Sequence, residues 1–182
     1  VEDIFKGLFS YSVDISGRDY AKMGFLVRDS YIVSDKYQSS AEFFLHMLLD
    51  GDYFALNEKS KKFFDLSSFR GVFKECRSKY ELIESESNIF LTPASMFKQG
   101  ISKAEMKDFV YAVYDFTEPE QCFTLFSLKK SGFCHHILEH TDDFFANSIL
   151  SSPDIRFGYE KVFGTCLFER DTRVTSVTRL IV

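Results

Sequence analysis

The sequence predicts a mixed α/β (α+β) fold: an antiparallel or mixed central sheet flanked by helices around a single Phe-rich core. Short β-rich runs alternate with segments whose apolar residues recur at helical spacing, a pattern typical of sheets covered by helices. Phe supplies 22 of the 182 residues, beside 9 Tyr and no Trp, so phenyl rings must dominate the buried surface. Apolar residues make up 45% and charged residues 27%, which is typical of a globular chain.

Two hairpins are predicted in the first third of the chain. Residues 24–33 carry two β-rich runs around Arg28-Asp29-Ser30, which indicates the first hairpin. The second covers residues 45–56 and turns at Asp50-Gly51, because Asp-Gly between two apolar runs favours a tight turn with positive φ. A calcium loop at Asp50-Gly51-Asp52 is disfavoured because no terminal Glu follows at the required spacing.

The next segment predicts a short helix and then a strand. Asn57 is an N-cap candidate, and residues 58–66 have helical spacing. Within them Lys59 to Lys62 is the densest positive stretch of the chain, which we interpret as a solvated helix face. Residues 73–87 are mostly polar and helical only at their start, and the apolar run 89–91 forms a strand that ends before Pro93.

The centre of the chain contains the clearest helix signal. Ser102 and Glu105 form a capping box, in which each side chain satisfies a free backbone N–H, so a helix is predicted over residues 103–114. Residues 121–128 predict a largely buried strand, which ends at a turn over 129–132.

The last third predicts one long helix and two strands. Apolar residues recur every 3.6 positions from Phe133 to Leu150, so residues 133–150 are expected to form the longest helix. Residues 160–168 and 172–182 are predicted as strands joined by residues 169–171.

Charge and hydropathy restrict the classes of partner. A net charge of −5 without an obvious basic stripe argues against direct nucleic-acid binding by this chain. No apolar run reaches the length of a membrane span and no signal-peptide pattern is present, so we expect a cytoplasmic protein without membrane contact. Residues 1–182 are expected to form one globular domain, and because the chain begins at Val1, a fragment of a longer protein is left open.

The four cysteines are widely spaced, with no CxxC pair or zinc-knuckle spacing. Reduced thiols are expected, and a pair of disulfides is the alternative. Cys134 stands beside His135 and His136, but neighbouring helical residues point in different directions, so a buried thiol is predicted rather than a nucleophile. The cysteines are Cys76, Cys122, Cys134 and Cys166.

The sharpest candidate site is His136-Ile137-Leu138-Glu139-His140, which fits the HxxEH pattern of inverted-motif zinc peptidases. On a helix His136 and His140 lie one turn apart, so both imidazoles could reach one zinc ion with Glu139 as a base. The same periodicity places all three on the polar face of the helix. We therefore expect a surface patch with no metal and no cofactor.

Two segments resemble a known family of sensory domains. The order of hairpin, polar cap and helix from Asp50 to Phe64 resembles the start of the ligand-sensing, PAS- or GAF-like domain of LuxR-type transcription regulators. Residues 122–128 and the helix after them are similar to a central strand and long helix of that domain. The resemblance implies a sensing domain without its DNA-binding module, since no helix-turn-helix follows residue 150.

Three functions are ranked from these observations. The first is a non-catalytic sensory domain of an intracellular regulatory protein, with a small hydrophobic or aromatic ligand in an enclosed cavity lined by Phe or Tyr. The second is an acidic protein-interaction module, such as an inhibitor, immunity or viral accessory protein, with a solid core and an exposed apolar patch. The third is a zinc-dependent hydrolase acting through His136, Glu139 and His140. A homodimer is left open.

Overall fold

The computed structural model describes residues 17–28, 31–152, 157–162 and 164–171. The chain forms two compact units, one up to Phe44 and one from Leu45, so the expected single domain stays a prediction. The mixed α/β class is confirmed, with helices flanking small antiparallel sheets and a Phe-rich core. Among the described residues, no helix is both long and apolar enough to cross a membrane.

The first unit contains the predicted hairpin. Strands β1 and β2 pair antiparallel, with Phe25 opposite Ser34 and Arg28 opposite Tyr31, which confirms the strands predicted over residues 24–33. Its elements are α1 (Gly17–Lys22), β1 (Phe25–Arg28), β2 (Tyr31–Ser34) and the beginning of α2 (Ser40–Leu49).

The hairpin predicted over residues 45–56 is wrong, because its first arm belongs to α2. The Ser39 hydroxyl accepts from the Glu42 N–H at 3.1 Å, and the Glu42 carboxylate accepts from the Gln38 N–H at 2.6 Å. Side-chain acceptors of this kind start a helix. Asp50-Gly51 therefore follows the C-terminal end of α2, and Gly51 has a φ of +98°.

The second unit continues from α2 with seven helices and six strands among the described residues. In chain order they are β3 (Tyr53–Ala55), α3 (Glu58–Lys61), a 3₁₀ turn (Lys62–Asp65), α4 (Ser67–Ser78), β4 (Ile83–Glu86), β5 (Ile89–Leu91), α5 (Pro93–Lys98), α6 (Lys103–Phe116), β6 (Cys122–Phe123), α7 (Leu125–Lys130), α8 (His136–His140), α9 (Asp143–Leu150), β7 (Phe157–Val162) and β8 (Thr165–Arg170).

These elements contain one topology twice. A helix, a short strand, a pair of helices and a hairpin follow one another from α2 to β5 and again from α6 to β8, with α8 as an addition in the second copy. Both sheets are antiparallel and have the same strand order, β3-β5-β4 and β6-β8-β7, so the first strand pairs with the third. Helix α5 connects the two copies.

The sheet β3-β5-β4 has apolar side chains packed on both of its faces. Phe54 and Phe90 lie opposite each other and project to one side, where their rings are 6.4 Å apart within a cluster of phenylalanines. Ile83 and Leu91 project to the other side and join a second apolar cluster with residues of α6 and α9. The two copies therefore share a core.

Two predicted elements of the second copy are divided in the structure. The strand predicted over 121–128 is limited to β6, because Thr124 and Ser127 form a reciprocal capping box that starts α7. The helix predicted over 133–150 is two helices, α8 and α9. The helix is interrupted at Asp142, which is the N-cap of α9. The Asp142 side chain accepts a hydrogen bond from the Phe145 N–H at 2.8 Å. The longest described helix is α6, with 14 residues.

The remaining predictions have mixed outcomes. Helices over 58–66 and 103–114 are confirmed as α3 with its 3₁₀ turn and as α6. The strand predicted over 160–168 is wrong, since the chain turns at Gly164 with φ +82° and forms the β7-β8 hairpin. Helix α4 begins at Ser67, earlier than expected, and β4 was not expected. The strand predicted over 172–182 lies outside the described residues.

Candidate functional site

Helices α3 and α4 form a closely tied pair. Asn57 caps α3 by accepting from the N–H groups of Lys59 and Ser60 at 2.9 and 3.1 Å, and Ser60 accepts from the Asn57 N–H at 2.8 Å. The Ser60 hydroxyl also donates to the Ala55 carbonyl at 3.0 Å, which anchors the start of the helix to β3.

A phenylalanine cluster holds this pair on the sheet. Phe69 of α4 is fully buried, and its ring lies 4.9 Å from Phe64 of the 3₁₀ turn and 6.5 Å from Phe54 of β3. Phe73, one turn later, lies 5.2 Å from both Phe64 and Phe90. Because these rings occupy the inner face of α4, its polar residues are directed outward.

Arg70 fixes the connection between the two helices. Its guanidinium donates from α4 to the carbonyls of Phe64 and Asp65 at 2.6 and 3.3 Å. These carbonyls belong to the 3₁₀ turn, so Arg70 replaces the hydrogen bonds that a continuous helix would make there.

The exposed side of the helix pair is basic. Residues 57–79 contain seven Lys and Arg against three Asp and Glu, in a chain with a net charge of −5. The seven basic residues are Lys59, Lys61, Lys62, Arg70, Lys74, Arg77 and Lys79. All are exposed except Arg77, which is half-buried with its guanidinium 6.0 Å from the Phe90 ring.

Three of these lysines are available to an external anion. Within the described ranges no carboxylate pairs with Lys59, Lys62 or Lys74, whereas Lys61 pairs with Glu58 at 2.8 Å and Lys79 pairs with Glu75. The Glu75 carboxylate raises the pKa of Lys79, and Lys61 lowers the pKa of Glu58. We use the name basic helix face for Lys59, Lys62, Arg70, Gly71 and Lys74.

Gly71 lies at the centre of the basic helix face. It is an exposed residue in the interior of α4, where glycine is less favourable than alanine by about 1 kcal/mol. A Cβ atom built at Gly71 would meet no atom within 4 Å. Packing within the protein therefore does not require glycine here, and the missing side chain leaves the helix backbone open to close approach from outside.

The corresponding region of the second copy has a different charge. Residues 124–150 contain two Lys and Arg against three Asp and Glu, and α9 buries five of its eight residues. The β4-β5 hairpin of the first copy carries Glu84 and Glu86. The positive charge is therefore concentrated on α3 and α4.

The histidines of the HxxEH motif line a cleft of about 320 Å³ between α6 and α8. The rings of His136 and His140 are 4.2 Å apart, and His136 Nδ1 lies 3.6 Å from Glu105 Oε1. Glu139 is exposed and does not line the cleft. The predicted surface position of the three motif residues is confirmed, and the carboxylate beside the histidines comes from α6.

This cleft does not contain a set of metal ligands. Throughout the part of the chain that the structure describes, no three His, Cys, Asp or Glu side chains are grouped to hold a metal ion. Glu105 caps α6 through Ser102 at 2.8 Å. Hydrogen bonds from Ser102, with smaller contributions from His136 and His135, lower the pKa of Glu105.

His135 has a structural position. Its Nδ1 accepts from the Ile137 N–H at 3.1 Å as the N-cap of α8, and its Nε2 lies 3.3 Å from Asp108 Oδ2. Only 11% of the side chain is exposed. His135 is therefore a half-buried cap of α8.

The thiols offer no activated nucleophile beneath the basic helix face. Cys76 lies on the buried face of α4, and burial raises its pKa to about 12, assisted by the negative charges of Glu81 and Glu75. Burial also raises the pKa of Cys166. All four cysteines are free, and Cys134 is exposed, so its predicted burial is wrong.

A second cleft, of about 250 Å³, lies between α5 and the start of α6. It is lined mainly by apolar side chains, and both clefts are open to solvent. Neither is the enclosed cavity lined by Phe or Tyr that a sensor of small ligands is expected to have.

The basic helix face was missed because its residues are spread over two helices. Lys59 to Lys62 is visible in the sequence, but the approach of Arg70 to the carbonyls of the 3₁₀ turn depends on the fold. The chain matches no model of a known protein family, no curated protein and no solved structure.

Proposed function

We propose that this chain is a non-catalytic regulatory protein that binds double-stranded DNA through the basic helix face. The observation that carries the proposal is the position of unpaired lysines on a helix pair followed by a hairpin. Helix, strand, helix pair and hairpin, with the first strand beside the third, is the connectivity of the winged helix-turn-helix. In helix-turn-helix proteins the second helix of the pair enters the major groove, and the first crosses the phosphate backbone.

The residues of the basic helix face suit these two roles. Lys59 and Lys62 would neutralise phosphates beside α3, and such contacts supply most of the non-specific affinity for DNA. Arg70 lies in the first half of α4, the part of a recognition helix that faces base edges, and its hydrogen bonds to the 3₁₀ turn orient that half. Lys74, in the second half of α4, would neutralise a third phosphate at the edge of the groove. Gly71 between them would let the helix backbone approach the groove floor. The acidic β4-β5 hairpin would stay away from the phosphates.

The proposal departs from the expectation that this chain binds no nucleic acid. That expectation used the net charge of the whole chain, which averages the basic helix pair with acidic residues elsewhere. Association with DNA depends on the local potential of the contacting surface. The proposal retains the regulatory role expected first, but assigns binding to residues 57–79 instead of to a ligand cavity.

The experiment is a salt titration of binding to random-sequence 30-bp duplexes, followed by fluorescence anisotropy. The wild type is expected to bind with a dissociation constant of roughly 10⁻⁶ to 10⁻⁴ M, typical of non-specific binding at physiological salt. Replacing Lys59, Lys62 and Lys74 with Ala should weaken binding at low salt by on the order of tenfold or more. It should also reduce the slope of log K against log salt by about 3, one unit for each phosphate contact.

The matched control replaces Lys107, Lys130 and Lys161 with Ala, which removes the same charge from exposed positions outside the basic helix face. This control should bind almost as the wild type does. An equal loss of DNA affinity in both variants would show that binding depends only on net charge. An absence of wild-type binding at 50 mM salt would refute the proposal. Circular dichroism and thermal melting check that both variants are folded.

A further inference from the structure

The apolar cleft beside the connecting helix α5 is a second surface, separate from the basic helix face, and it has no role in the proposed DNA binding. Its volume is about 250 Å³. Cavities of about 150 Å³ hold benzene, so the cleft has room for a phenyl ring. It is lined by Pro93, Met96, Phe97, Ile101, Ser102, Lys103 and Met106.

Phe97 projects from the rim of this cleft. Its side chain is 82% exposed, whereas the adjacent Met96 is 2% exposed and belongs to the core. An exposed Phe side chain presents a large apolar area to solvent. An apolar area of this kind beside a groove is typical of an interaction surface. The surface thus carries a projecting ring and an apolar cleft side by side.

Charges of both signs flank the same surface. Lys98, next to Phe97, reaches both carboxylate oxygens of Asp52 at 2.7 and 2.8 Å. Lys103, which lines the cleft at the start of α6, pairs with Glu81 at 2.8 Å. Because each lysine is already paired with a carboxylate of its own chain, these groups add no net charge to the surface, and a copy of the same surface would not be repelled by it.

We propose that this surface forms a twofold homodimer in which Phe97 of each chain occupies the apolar cleft of the other. A twofold interface uses one patch on both subunits, so the patch must be self-complementary in shape and charge. The ring beside the cleft satisfies the first condition, and the paired charges of both signs satisfy the second. The dimer does not depend on DNA binding and forms without it.

Sedimentation and light scattering of the purified chain across concentration test the dimer directly. The wild type should approach twice the mass of one chain at micromolar to tens of micromolar concentration. Phe97→Asp should raise the dissociation constant at least about thirtyfold, the effect of losing a central aromatic anchor. Phe126→Asp is the matched control, because Phe126 of α7 is 74% exposed but does not line the cleft.

Three results would overturn the proposal: a wild type that stays monomeric at several hundred micromolar, a Phe97→Asp variant that dimerises normally, and equal weakening by both substitutions. Photo-crosslinking from benzoylphenylalanine at position 97 identifies the surface contacted. Intermolecular cross-links to α5 or the start of α6 support the arrangement, and cross-links elsewhere contradict it. Thermal melting of each variant checks folding, which substitutions at such exposed positions should preserve.

Discussion

Gly71 is the residue at which folding and the proposed function make opposite demands. Gly71→Ala should stabilise the fold by about 0.5–1 kcal/mol, because alanine favours the helix and restricts the unfolded chain. No atom lies within 4 Å of the added methyl group, so no clash offsets this gain. The same methyl group should weaken binding to duplex DNA several-fold. Urea unfolding and fluorescence anisotropy measure the two effects separately.

The control for this prediction is Gly51→Ala. Gly51 also has no neighbour within 4 Å of a built Cβ, but its φ is +98°. An alanine there is strained, so stability should fall while DNA binding by the folded fraction stays unchanged. If Gly71→Ala stabilises the protein and leaves DNA affinity intact, close approach of DNA to α4 is excluded.

Single residues also explain where the sequence-based interpretation of the site failed. The histidines of the HxxEH motif were correctly expected at the surface, because periodicity along a helix distinguishes polar from apolar faces. Their neighbour Glu105 comes from a distant segment, and no local pattern predicts that approach. Cys134 was expected to be buried on a helix that begins only at His136.

At the scale of elements, capping residues decided which predictions succeeded. The capping box at Ser102 was recognised, and α6 was confirmed. The equivalent signals at Ser39 and Thr124 were present in the sequence, but the Asp50-Gly51 turn signal outweighed the first and the apolar run over 121–128 outweighed the second. Apolar periodicity continued across Thr141 and Asp142, so it could not reveal the end of α8.

The separation of α8 and α9 gives a test of this explanation. Asp142→Ala removes the acceptor of the Phe145 N–H and should lower the free energy of unfolding by about 1 kcal/mol, the usual contribution of an N-cap. Asp142→Asn retains a side-chain acceptor and should lower the free energy of unfolding by only a few tenths of a kcal/mol. Urea unfolding of the three proteins measures both. Equal destabilisation by Ala and Asn would assign the effect to charge instead of capping.

At the scale of the whole molecule, the fold class could be predicted and the duplication could not. Composition and alternating patterns were sufficient for a mixed α/β fold with a Phe-rich core. The two copies differ in most residues, since the first copy packs phenylalanines beneath α4 and the second buries most of α9. The common strand order depends on long-range pairing, which local patterns do not encode.

The shared sheet has a consequence for how the second unit comes apart. Ser148 of α9 accepts from the Glu84 N–H at 2.8 Å, and α9 packs against β4. Neither copy can open alone without exposing the core of the other, so residues 45–171 should unfold as one cooperative unit. Native-state hydrogen exchange should give the slowest amides of β5 and α6 the same opening free energy and the same urea dependence. A lower opening free energy for the β5 amides than for the α6 amides would mean that the copies are separate cooperative units. If the basic helix face binds DNA as proposed, a destabilising substitution in α9 should therefore weaken that binding by lowering the fraction of molecules in which α4 is folded.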